Sequence, residues 1–161
     1  PFVLLAGNAS LFMEGDYVGP SAIPEVGPGG SVEVWWGPDP SLTVKRIMLE
    51  RTTSKTGLFG GGIQTTSTYR IDLANTASKP LTLEVWDRHP VSRNSEIEVR
   101  LADVSPALAT DKAYVETEQE QGLLKWVLTL DPKGAPSAET SISWTVRVSH
   151  SSKVTTTPIP E

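Results

Sequence analysis

Apolar and polar residues alternate along one short stretch of the chain after another, and almost no stretch repeats at helical spacing. Ile142, Trp144, Val146 and Val148 recur at every second residue between Ser141, Ser143, Thr145 and Arg147. Successive side chains of a strand point to opposite faces, so this spacing buries one face and wets the other. The same beat runs through Val32-Val34-Trp36, Tyr69-Ile71-Leu73, Leu81-Leu83-Val85, Ile97-Val99-Leu101 and Leu124-Trp126-Leu128-Leu130. Residues 9–23 read as a hairpin turning through Glu14-Gly15-Asp16, where glycine can take the positive φ of a tight turn. Between Leu42 and Thr53 the apolar parity flips, Leu42 and Val44 on one phase and Ile47 and Leu49 on the other, which predicts a bulge.

Turn signals punctuate these strands. Glu25 to Gly30, Gly37-Pro38-Asp39-Pro40, Gly57 to Gly62 and Asp131-Pro132-Lys133-Gly134 are rich in glycine and proline. Spacings of roughly 8–12 residues between such signals mark a sandwich or barrel, not βαβ units. The fold class expected is all-β, an antiparallel two-sheet sandwich with little or no helix, and a β-barrel is the alternative. Residues 1–150 form a single domain in this reading, and 151–161 a flexible Ser/Thr/Pro-rich tail. Ala102 to Lys112 is the least regular segment, a loop or short helical turn. The opening Pro1-Phe2-Val3-Leu4-Leu5 lacks the basic flank and cleavage site of a signal peptide. It reads as a strand excised from the C-terminal part of a longer protein.

Composition removes several function classes. A chain of 161 residues can close one core without staples, and with no cysteine there is no disulfide framework or thiolate metal site. A formal net charge of -5 offers phosphate backbones no attraction, so no nucleic-acid partner is expected. No apolar run approaches the roughly 20 residues that span a bilayer as a helix.

The chemistry-bearing residues do not assemble into a reaction site on paper. Asp87, His89 and Ser92 supply acid, base and nucleophile types, yet residues so close on one strand end splay to opposite faces. The plainer reading is a turn in which Asp87 and Ser92 bond backbone amides, with His89 held extended by Pro90. His89 and His150 are far apart, and no loop has calcium-ligand spacing, so neither metal nor cofactor is expected. Glu116, Glu118 and Glu120 share parity and read as the wet face or edge of a strand. Lys55-Thr56 precedes its glycines, the reverse of a phosphate loop, which leaves Leu58 and Phe59 as an apolar hairpin tip.

The tryptophans discriminate best. Trp126, Trp144 and Trp36 keep phase with aliphatic neighbours and read as core. Trp35 keeps phase with Glu33, and Trp86 with Thr82 and Glu84, so both face outward. An outward indole can stack on a sugar or anchor a protein interface. Trp86, Trp35, Leu58 and Phe59 are therefore the candidate binding residues. Asn8-Ala9-Ser10 is a glycosylation sequon, of meaning only in a secretory pathway.

Four strings occur in order: LLAGNASLFMEGDYVG, KTGLFGGG, DRHPVSRNSEIEV and GLLKWVLTLDP. Together they resemble the C-terminal domain of the mucoidy inhibitor A-like proteins, domain of unknown function family 4139, from about Pro1 to about Val148. His89 departs from that family's pattern, which more often has an apolar residue there. The resemblance implies a β-sandwich without established activity, with a β-rich domain and a coiled coil upstream, and it carries over no catalytic residue. Two function classes follow. The first is a non-catalytic interaction module that meets a protein partner or the upstream domains of its own chain. The alternative is a carbohydrate-binding module, which needs two or three coplanar exposed rings flanked by amides and acids. The scarcity of Asn and Gln near Trp86 favours the first.

Overall fold

The computed structural model describes residues 2–13, 15–57 and 61–154. Eight strands follow in chain order: β1 (Gly7–Met13), β2 (Asp16–Ile23), β3 (Leu42–Thr56), β4 (Gly62–Asn75), β5 (Leu81–Arg88), β6 (Ile97–Ser105), β7 (Leu123–Leu130) and β8 (Glu139–Ser151). Every pairing is antiparallel, and no sheet of the described residues closes into a barrel. The all-β, sandwich-like class read from the sequence is thus the observed one. The chain divides into two compact units, residues 1–40 and 41–161, where the sequence alone treats 1–150 as one domain.

In residues 41–161 a four-stranded sheet in the order β3-β4-β8-β6 packs against the two-stranded sheet β5-β7. Alternation explains the core. Tyr69, Ile71 and Leu73 of β4 and Ile142, Trp144 and Val146 of β8 point inward from one layer. Leu124, Trp126 and Leu130 of β7 meet them from the other. Trp126 and Trp144 are wholly buried, as their parity predicts. Their rings lie 5.5 Å apart, and Tyr69 stacks on Trp144 at 5.4 Å. The indole N–H of Trp126 donates to the Pro106 carbonyl at 3.0 Å. Each buried indole removes about 150–250 Å² from water, worth on the order of 4–6 kcal/mol of transfer energy.

The predicted bulge is present at Leu49, where the β3–β4 register shifts between Met48 and Glu50. β3 is a sheet edge, and the bulge with Lys45, Arg51 and Lys55 discourages a foreign strand from pairing there. At the C-terminal end of β4, Asn75 is buried and engaged. Its Nδ2 donates to the carbonyls of Lys79 and Asp131, each at 2.8 Å, and its Oδ1 accepts from Ala77 N–H at 2.8 Å. One amide thereby ties the β4–β5 connection to the end of β7.

Residues 1–40 hold the predicted hairpin, β1 on β2, extended by paired backbone bonds between Leu4 and Val26. Here one expectation fails. Val32 to Trp36 is not a strand, and Trp36 is 45% exposed instead of core. Alternation states which residues would share a face, but a strand also needs a ladder, and this segment has no partner among the described residues. A second expectation fails at Glu116, Glu118 and Glu120, which lie in a helical segment, Tyr114–Glu118 continuing as a 3-10 turn over Gln119–Gln121. Asp111 Oδ1 accepts the Tyr114 N–H at 3.1 Å, and Lys112 pairs with Glu116 one turn on, so local helix contacts win over parity.

Asn75→Ala takes the partner from two part-buried carbonyls, of Lys79 and Asp131, and from the Ala77 amide. It is expected to lower the unfolding free energy by about 2–4 kcal/mol, read from urea midpoints. A change under about 0.5 kcal/mol contradicts the role given to Asn75 here. Trp144→Ala is expected to lose about 3–5 kcal/mol by the same measurement.

Candidate functional site

The outer face of β5-β7 carries the most structured surface cluster in residues 41–161. Inward seating of Leu83, Val85, Trp126 and Leu128 turns Thr82, Glu84, Trp86 and Arg88 outward on β5. The ladder sets Glu84 opposite Val127 and Trp86 opposite Lys125. Trp86 is 43% exposed, and Val127 beside it is exposed too.

Lys125 lies against its cross-strand neighbour, its Nζ 5.1 Å from the Trp86 ring centre. The same ammonium reaches Glu84 at 3.4 Å and Asp111 at 3.3 Å. Tyr114 meets Trp86 edge to face, with ring centres 5.9 Å apart and planes at 79°. Its hydroxyl donates to the Leu123 carbonyl at 3.0 Å and accepts the Lys125 N–H at 3.2 Å, while Ala109 N–H donates to the Lys125 carbonyl at 2.8 Å. The segment 109–114 thus satisfies the free edge of β7 and fixes the indole from behind. Gly122 joins this helical turn to β7 at φ +83, and a Cβ there would meet the His89 carbonyl oxygen at 2.5 Å. That carbonyl belongs to the residue whose N–H donates to the Gly122 carbonyl at 2.8 Å, so the glycine allows the close approach.

Electrostatics follow the geometry. The Tyr114 N–H, opposed by partial desolvation and helped by Lys125, holds the Asp111 carboxyl below its usual value. Desolvation pulls the Lys125 ammonium down, but Asp111 and Glu84 together outweigh it and leave its value raised. Burial raises the Tyr114 phenol. Glu84 and Asp111 thus share one ammonium, that of Lys125.

The Asp87-His89-Ser92 group splits three ways. Asp87 accepts Arg46 Nε at 2.7 Å and Arg88 N–H at 2.7 Å. His89 Nδ1 lies 2.8 Å from the Pro90 carbonyl oxygen, and Ser92 Oγ accepts Asn94 N–H at 3.1 Å. No group of three His, Cys, Asp or Glu among the described residues is placed to hold a metal ion. No helix among them is long and apolar enough to cross a membrane.

A family model described as Domain of unknown function (DUF4139) matches residues 6–151. The chain belongs to that family. No curated protein and no solved structure matches it. For this DUF4139 chain the site is therefore built from geometry alone.

Of the four binding residues read from the sequence, Trp86 stands on β5 with its ring half open. Trp35 is 78% exposed in the unit of residues 1–40. Leu58 and Phe59 lie outside the described residues. Sequence reading missed Tyr114, Lys125 and Asp111. A signal for them existed: Asp111 three residues before Tyr114, a Lys112–Glu116 pair and Gly122 mark the two ends of a helical turn.

A carboxyl whose folded value is depressed contributes stability above its ordinary value, 3.8 for Asp111, and loses it as pH falls through the folded value. Asp111→Asn is therefore expected to be less stable than the parent near pH ~6, with the gap closing below about pH 3.8. Thermal melts across that range check it, and a gap independent of pH contradicts it.

Proposed function

We propose that this domain is a non-catalytic interaction module whose anchor is Trp86. The observation that carries the reading is an indole held half open by Tyr114 and Lys125, on a face it shares with exposed Val127. Interface hot spots are enriched in such pre-set aromatic anchors, because little side-chain freedom is lost when a partner covers them. A rim of Glu84, Lys125 and Arg88 provides polar complementarity around an apolar centre.

The sugar-binding alternative has weaker support. Tyr114, the ring nearest Trp86, is buried and stands nearly perpendicular to it, so it adds no second coplanar platform. The ordered strings named above support a finer reading within DUF4139, the mucoidy inhibitor A-like C-terminal domain. On that reading the first partners for Trp86 are the upstream β-rich domain and coiled coil of its own chain.

Trp86→Ala is expected to remove about 1–2 kcal/mol of stability, from one edge-to-face pair and one cation–π contact. It is also expected to weaken a Trp86-centred interface by about 30-fold or more. Quantitative affinity capture with parent and Trp86→Ala baits, beside their melting temperatures, checks both. Equal capture by the two baits overturns the proposal, and so does unfolding of the variant. Glycan-array binding lost on Trp86→Ala, without loss of any protein, moves the assignment to carbohydrate.

A further inference from the structure

Residues 1–40 are chemically unlike the rest of the chain. They contain Glu14, Asp16, Glu25, Glu33 and Asp39 and no lysine or arginine, so all 14 basic residues fall in 41–161. They are also apolar on the outside. Phe2, Leu5, Phe12, Tyr17 and Trp35 are each more than half exposed, while Leu11 is their buried large apolar side chain among the described residues. Phe12 and Tyr17 pack edge to face at 5.5 Å across the β1–β2 ladder and still show most of their surface. A Cβ on Gly37 would touch Val18 at 3.5 Å and Trp35 at 4.0 Å, which places that indole beside β2. Scattered exposed apolar residues are ordinary, but so many on one short hairpin unit mark a surface that another molecule covers.

We propose that residues 2–13 and 15–40 form a docking surface for an extended protein segment that carries both apolar and cationic side chains. Three observations choose this occupant. An all-acidic unit repels anionic lipid and acidic partners and attracts lysine and arginine. The exposed Phe12, Tyr17 and Trp35 supply broad apolar contact and faces for cations to sit on. Among the described residues the sheet has two strands, so β1 and β2 each offer an outer edge there to which an extended segment can add. The surface is separate in sequence from the Trp86 face, and its chemistry is single-signed where that face is mixed.

The experiment uses the whole chain and synthetic peptides of about ten residues with alternating sequence, (Lys-Val)n, (Glu-Val)n and (Lys-Ser)n. Calorimetry is expected to show binding of (Lys-Val)n alone, weakened about tenfold when salt rises from about 50 to about 300 mM. Glu25→Gln with Glu33→Gln is expected to weaken it about fivefold or more without touching an apolar contact. Trp35→Ala is expected to weaken it as well, and Trp86→Ala to leave it unchanged. Equal binding of (Glu-Val)n, indifference to the two Gln substitutions, or binding of neutral phosphatidylcholine vesicles instead of peptide overturns the inference. Self-association that buries Trp35 makes the occupant a second copy and overturns it too. Loss of peptide binding on Trp86→Ala alone puts the peptide on the Trp86 face, which defeats this inference and leaves the proposed function standing.

Discussion

Three rings packed through the core, Tyr69 stacked on Trp144 and Trp144 tilted against Trp126, decide the register of residues 41–161. Side chains alternate with period two, so a slip of one residue would move a whole strand's apolar set into water. Trp126 is too large to be seated anywhere but the interior, and its N–H is satisfied there by Pro106. With Trp126 inward, its cross-strand partner Val85 is inward as well, and the next pair, Trp86 and Lys125, is driven outward. The open indole at the surface is therefore a consequence of the closed one beneath it. The packing and the candidate site are one constraint read on two faces.

Charge also joins the two layers. Arg46 sits at an inward position of β3, between Val44 and Met48, where an aliphatic residue would be the simple choice. Its guanidinium lies 4.8 Å from the Tyr69 ring centre and 5.8 Å from that of Trp144, and it grips Asp87 of the opposite layer at 2.7 Å. Arginine tolerates this seat because its planar, weakly hydrated head stacks on aromatics while still reaching water. Asp87 is the more enclosed partner, and a carboxylate stripped of the guanidinium there would keep only the Arg88 N–H. Asp87 is the residue after Trp86, so the clamp between the layers also steadies the end of β5 that carries the anchor.

How much of this was legible in the sequence depends on what period two can and cannot say. It placed Trp126 and Trp144 in the core, Trp86 outside, and the parity break of β3 at a bulge, because each of those is a matter of which face a side chain takes; Trp35 is exposed as well, but on no strand. It misplaced Trp36, because a face exists only if a neighbouring strand supplies the ladder, and alternation is silent on neighbours. It misread Glu116, Glu118 and Glu120, because three residues of shared parity fit a helix as well as a strand; the cap at Asp111 and the glycine at 122 were the better evidence. Arg46, Asn75 and the meeting of Lys125 with Asp111 and Tyr114 were invisible for another reason. Their roles arise from partners up to dozens of residues away, and no local pattern encodes such convergence.

The two surfaces left open differ in the physics they offer a partner. Around Trp86 charges of both signs are mixed, Lys125 shared by Glu84 and Asp111 with Arg88 beside them, so on the proposed reading binding there gains little from long-range attraction and rests on burying the indole and Val127. Such an interface responds weakly to salt and strongly to shape. Residues 1–40 present the opposite case. By sequence they carry acids and no lysine or arginine, so on the docking inference they contribute charge of one sign, which steers association and fades over roughly 8–10 Å at physiological salt. A surface of that kind discriminates first by charge and only afterwards by fit. On the docking inference the uneven distribution of lysine and arginine along this chain bears on recognition, whereas Arg46 serves the packing of the layers.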